Sequence, residues 1–113
     1  MAVSGAQKRI ISVVGSWSGV EVRPHRYGGL EFRLRNRELG HIHGDALVDI
    51  PFPKPVRNEI VAANQAEPHH ILPDSGWVSI FLHTAADVDR ALCLLERSFE
   101  LARHQQDSSG AES

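Results

Sequence analysis

From Val20 the apolar side chains switch to a spacing of two within short runs, a period that a strand buries on one face and a helix cannot. Val20 and Val22 alternate with Glu21 and Arg23, and Leu30, Phe32 and Leu34 alternate with Glu31, Arg33 and Arg35. Such alternation belongs to a sheet with one wet face. Gly28-Gly29 suits a hairpin turn between these two strands. Asn36-Arg37 then turns the chain into a third strand, Glu38 to His43, and Gly44-Asp45 into a fourth, Ala46 to Ile50. Pro51, Pro53 and Pro55 lack an amide donor, so the ladder must stop there.

The flanks read differently. Ala6 to Val14 carries Ile10, Ile11, Val13 and Val14, which suits a short helix laid on the sheet, with a first strand as the alternative. Pro55 fits the first turn of a helix to Ala66 whose inner face holds Val56, Ile60 and Ala63, or Val61 in its place. Glu67 to Leu72 and Trp77 to His83 read as two more strands joined by the turn Pro73-Asp74-Ser75-Gly76. Thr84 and Asp87 mark the start of a last helix, behind which Val88, Leu92, Leu95, Phe99 and Ala102 recur at helical spacing. Gln105 to Ser113 lacks large apolar residues and reads as a flexible tail. The expectation is one α+β domain over residues 1–104, an antiparallel sheet of about six strands with helices on one face.

A chain of 113 residues is large enough for one core and too small for two. Its net charge of −2 offers no long-range attraction to nucleic acid or to an anionic membrane. Arg23, His25, Arg26, Arg33, Arg35 and Arg37 make the first hairpin locally basic, which reads as a solvated outer face, with anion binding as the alternative. No run approaches the ~18 apolar residues of a membrane span, and the first residues lack the apolar core of a signal peptide. The lone Cys93 falls in an apolar helical pattern and reads as a small buried hydrophobe. Together these features give the expectation of a cytoplasmic protein.

The unusual chemistry is concentrated between Glu38 and Pro53. His41 and His43 share one face of their strand, with Cα atoms ~7 Å apart, close enough to hold one ligand or one ion between them. The turn at Gly44-Asp45 decides what joins them. A two-residue turn pairs His41 with Val48 and sends Asp49 to the other face; a three-residue turn pairs His41 with Asp49. His69 and His70, read as strand neighbours, point to opposite faces, so that at most one joins. In a metal-free site, His41 or His43 would act as a base on an acidic hydroxyl or enol, with Asp45 or Asp49 fixing its tautomer. Asp49, Phe52, His70 and Trp77 would bind the substrate, the aromatics by stacking on a flat molecule, although each aromatic also suits plain core. The alternatives are histidines that serve only the fold, in a non-catalytic interaction module, and a metal site in which His41 and His43 ligate zinc or iron.

Several segments in order, Glu38-Leu39-Gly40-His41-Ile42-His43-Gly44-Asp45, Asp49-Ile50-Pro51-Phe52-Pro53, Ala66 to Ser79 and Ala91 to Glu100, resemble the luciferase domain family, which groups the fungal luciferases with many small bacterial proteins. The resemblance covers residues 7–104. It implies a cofactor-independent oxygenase. The fungal enzymes add molecular oxygen to a hydroxylated pyrone without metal or flavin, and a deprotonating histidine in an apolar pocket suits that reaction. The expected partner is thus a small, flat, ionisable organic molecule, with no cofactor, nucleic acid or membrane.

Overall fold

A computed structural model describes residues 2–25 and 28–112, with side chains as far as Gln106, so that Arg26 of the basic hairpin lies outside the described residues. The elements run α1 (Ala6–Gly15), β1 (Val20–Pro24), β2 (Leu30–Leu34), β3 (Arg37–His43), β4 (Leu47–Pro51), α2 (Lys54–Ala62), β5 (Glu67–Pro68), β6 (Trp77–Phe81) and α3 (Ala85–Glu112). The strands form one antiparallel sheet in the order β1-β2-β3-β4-β6-β5. The fold is α+β, as the alternation and the proline stops require.

One face of the sheet is covered. Phe32, Ile42, Val48, Ile50, Val78 and Ile80 meet Ala6, Ile10 and Val14 of α1 and Val88, Ala91, Leu95 and Phe99 of α3 in a single apolar core. Ile60 of α2 closes one end, with Val56 and Val61 partly buried beside it, while Ala63 is exposed. Along α3 the buried stripe passes through Ala91, Leu94, Leu95, Ser98 and Ala102 at three- and four-residue steps, which leaves Cys93 on the solvent side. The expectation that Cys93 is buried is therefore corrected.

The β3-β4 hairpin has the three-residue loop Gly44-Asp45-Ala46, so that His43 pairs with Leu47 and His41 with Asp49. Gly44 takes φ +55, a left-handed conformation that glycine adopts without strain, and the Ala46 amide bonds to the His43 carbonyl at 3.2 Å. On β3 the register against β2 shifts, Phe32 pairing with Gly40 and Arg33 with Glu38. This bulge inserts Leu39, whose side chain is fully buried, and turns Glu38 onto the same face as His41.

Two further expectations change. The strand expected over Glu67 to Leu72 is only Glu67–Pro68, because His69 Nδ1 accepts the amides of Ile71 at 3.1 Å and Leu72 at 3.0 Å and folds the chain into a loop. Where a tail was expected from Gln105, α3 continues to Glu112; Gln106 Nε2 donates to the Leu34 carbonyl at 3.1 Å and Gln105 bonds Arg37, which ties this turn to the sheet. The basic hairpin is internally paired, Arg23 with Glu21 at 2.8 Å and Arg33 with Glu31 at 2.7 Å. These two arginines are compensated within the hairpin, while Arg37 bonds the neutral Gln105.

Candidate functional site

The uncovered face of the sheet carries the histidines. Strand alternation puts His41 and His43 there from β3, the three-residue loop puts Asp49 directly across from His41, and β6 puts Ser79 across from Asp49. Asp49 is fully buried. Its Oδ1 accepts the Ser79 hydroxyl at 2.6 Å, and Ser79 Oγ accepts the His70 amide at 3.2 Å. Its Oδ2 is ringed by imidazole Nε2 atoms: His41 at 3.1 Å, His70 at 3.3 Å, His43 at 3.4 Å and His69 at 3.5 Å.

The partners of each ring define its protonation. His41 has carboxylates at both nitrogens, Glu38 Oε2 at 2.7 Å from Nδ1 and Asp49 at Nε2, so both nitrogens donate and the ring is an imidazolium. Burial opposes that charge, but the bonds to Asp49 and Glu38 outweigh it and raise the His41 pKa to about 9. Burial likewise pushes the Asp49 carboxyl up, yet the bonds from His41 and Ser79 and the facing imidazole charge bring it down to about 2. His69 is different: its Nδ1 lone pair already accepts two amides, so its one proton sits on Nε2, facing Asp49. Burial lowers the pKa of His69, outweighing the pull of the facing Asp49 charge. Burial and the adjacent His41 charge also lower that of His43, whose side chain is one-third exposed. A charged His41 thus stands beside His43 and His69, both held toward the neutral form.

Around this cluster lies an open cleft of about 860 Å³. Trp77 forms one wall, its ring 5.2 Å from that of His41 and 6.0 Å from that of His69. His25 stacks on His41 at 4.1 Å, and the exposed Ile71 and Leu72 form the rim.

His41, His43, Asp49, His70 and Trp77 therefore meet in one cleft. Asp45 and Phe52 do not. Asp45 lies in the hairpin loop and caps α1, its Oδ1 accepting the Gln7 amide at 2.8 Å and its Oδ2 the Gly5 amide at 3.4 Å. Phe52 is buried in the apolar core, since the chain turns toward the helices after β4. Both His69 and His70 reach Asp49, because they lie on a loop and strand alternation does not apply to them. Sequence reasoning missed His25, Glu38 and Ser79. Glu38 depends on the bulge and His25 on the β1-β2 pairing, and neither leaves a spacing signal, whereas Ser79 at an alternate position from Trp77 on β6 was open to notice.

An open antiparallel sheet with helices on one face and a histidine-carboxylate cleft on the other defines a small α+β protein whose clustered imidazoles and carboxylates lie on the bare face. The chain belongs to the luciferase domain family: the profile of the Luciferase domain matches residues 36–98, more than half of its length. That span contains His41, His43, Asp49, His69, His70 and Trp77, and leaves His25 outside. No curated protein and no solved structure matches the chain. Among the described residues no helix is long and apolar enough to cross a membrane.

Proposed function

We propose that the cleft binds a small, flat organic molecule through an ionisable oxygen and serves its cofactor-independent oxygenation, the chemistry that family membership suggests. One observation carries this reading: a charged His41 and a neutral, partly exposed His43 stand side by side, ring centroids 5.0 Å apart, in a cleft sized for a small ligand. His43 takes the proton of an acidic hydroxyl or enol, and the oxyanion so formed lies against the His41 imidazolium. Trp77 offers an aromatic surface to the flat ring of the ligand, and Ile71 and Leu72 an apolar rim. Asp49 and Glu38 act through His41, holding its orientation and its charge.

The test is a binding titration of hydroxylated pyrones and related enols against chelator-treated protein, followed by tryptophan fluorescence, with oxygen uptake measured in parallel. His43→Ala is expected to weaken binding by about 10–100-fold, the value of a hydrogen bond to a charged group, and to abolish oxygen uptake. Unchanged binding in a folded His43→Ala protein refutes the assignment and favours a non-catalytic module.

A further inference from the structure

We infer that His41, His43 and Asp49 form a seat for a divalent transition-metal ion, with His69 excluded from it. An ion in this seat would take the His41 and His43 nitrogens on which the reading above depends, so the inference is an alternative occupancy of the same site, and the test below separates the two.

The first argument is geometric. His41 Nε2, His43 Nε2 and Asp49 Oδ2 all lie within 4.8 Å of one another, the two nitrogens at 3.1 and 3.4 Å from the oxygen. An ion bonded at about 2.0–2.2 Å to each requires neighbouring donors about 3.0–3.5 Å apart. All three residues project from paired central strands of one sheet, a rigid base for a ligand set. Two imidazoles and one carboxylate on one side of an ion suit iron(II) or zinc, and not magnesium or calcium, which favour oxygen.

The second argument concerns the groups behind the ligands. Glu38 Oε2 lies 2.7 Å from His41 Nδ1 and the Ser79 hydroxyl 2.6 Å from Asp49 Oδ1, each on the atom that faces away from the seat. A carboxylate behind a ligating histidine fixes its tautomer and raises its basicity, and a hydroxyl behind a ligating carboxylate fixes its orientation.

The third argument separates rings that distance alone does not. His69 and His70 both bring Nε2 near Asp49 Oδ2, at 3.5 and 3.3 Å. His69 has committed its Nδ1 lone pair to the Ile71 and Leu72 amides, so its Nε2 carries the ring's one proton and could bind a metal only as an imidazolate, whereas His41 can give up its Nε2 proton to an entering ion and remain neutral with Nδ1–H on Glu38. It serves as a hydrogen-bond donor to Asp49. His70 approaches Asp49 through Nε2 from the exposed side of the cluster and falls in a group with Asp49 and His69, not with His41 and His43, so it is not counted among the ligands.

The test uses the full chain without an affinity tag, stripped with chelator and titrated with cobalt(II) by calorimetry and visible absorption. Wild type is expected to bind one equivalent. His43→Ala and Asp49→Asn are each expected to weaken binding by more than about 100-fold, and Glu38→Gln by about 10–100-fold. His69→Ala is expected to stay within about threefold, since it removes no ligand. Should Asp49→Asn fail to fold, the partly exposed His43 supplies the decisive variant. Less than a tenth of an equivalent bound by wild type overturns the inference, as does a loss in His69→Ala equal to that in His43→Ala. Protein that binds hydroxypyrones but no cobalt overturns the metal seat and leaves the ligand reading intact; cobalt binding without pyrone binding does the reverse.

Discussion

A carboxylate removed from solvent costs several kcal/mol unless it is hydrogen-bonded and faced by positive charge, and Asp49 has both. Removing it leaves His41 half-partnered and Ser79 without its acceptor. Asp49→Ala is expected to lower stability by about 3 kcal/mol, near the low end for a broken buried pair because His41 can release its proton; urea denaturation at neutral pH measures it. His69 acts on its own loop. Its ring holds the Ile71 and Leu72 amides, so His69→Ala is expected to accelerate hydrogen exchange at those two amides while exchange across β3 and β4 stays as in wild type. Equal protection of Ile71 and Leu72 in the variant would remove the tautomer argument that keeps His69 away from a metal.

Two devices hold the elements in register. Gly40 follows the bulge on β3, and a Cβ there would lie 2.9 Å from the Asp49 carbonyl oxygen and 2.8 Å from Leu95 Cδ2. Leu95 can shift, but the β4 backbone cannot without moving Asp49. Gly40→Ala is therefore expected to cost about 1–3 kcal/mol in thermal melts and to weaken ligand binding in the cleft. At the start of α3, Asp87 Oδ2 accepts the amides of His83 at 2.8 Å and Thr84 at 2.9 Å, while the Thr84 hydroxyl accepts the Asp87 amide at 3.3 Å. Slight burial pushes the Asp87 carboxyl up, and these amides with Arg90 bring it down to about 2 from an ordinary 3.8. A depressed carboxyl contributes stability that is full above its unfolded value and fades as pH falls through the folded one. Wild type and Asp87→Asn are accordingly expected to differ by about 1 kcal/mol at pH 6 and to converge near pH 2, which melting curves across that range would show.

At the scale of the molecule, the sheet divides the labour between its faces. Ile42 and His43 are neighbours on β3, yet Ile42 is fully buried beneath the helices and His43 stands in the open cleft. Ile42→Ala is expected to cost about 2–5 kcal/mol, whereas His43→Ala is expected to change stability by less than about 1 kcal/mol. Comparable losses from both would mean that the open face is also core. The asymmetry suits a binding protein, because the helices on one side carry the stability and leave the histidines free of packing duty.

Much of this was legible in the linear chain for a simple reason: alternation, helical spacing, turn residues and prolines act between residues close in sequence. They determined the meander, the stop at Pro51, the last helix and the shared face of His41 and His43. The assembly of the cleft depended on events that local pattern does not encode. The three-residue loop brought Asp49 to His41, the Leu39 bulge turned Glu38 toward the same ring, and the β1-β2 pairing placed His25 on top of it. Asp45 and Phe52, plausible by proximity, went to a helix cap and to the core. Register and loop closure sum contacts across the whole sheet, and only those contacts gathered the imidazoles around a single buried oxygen.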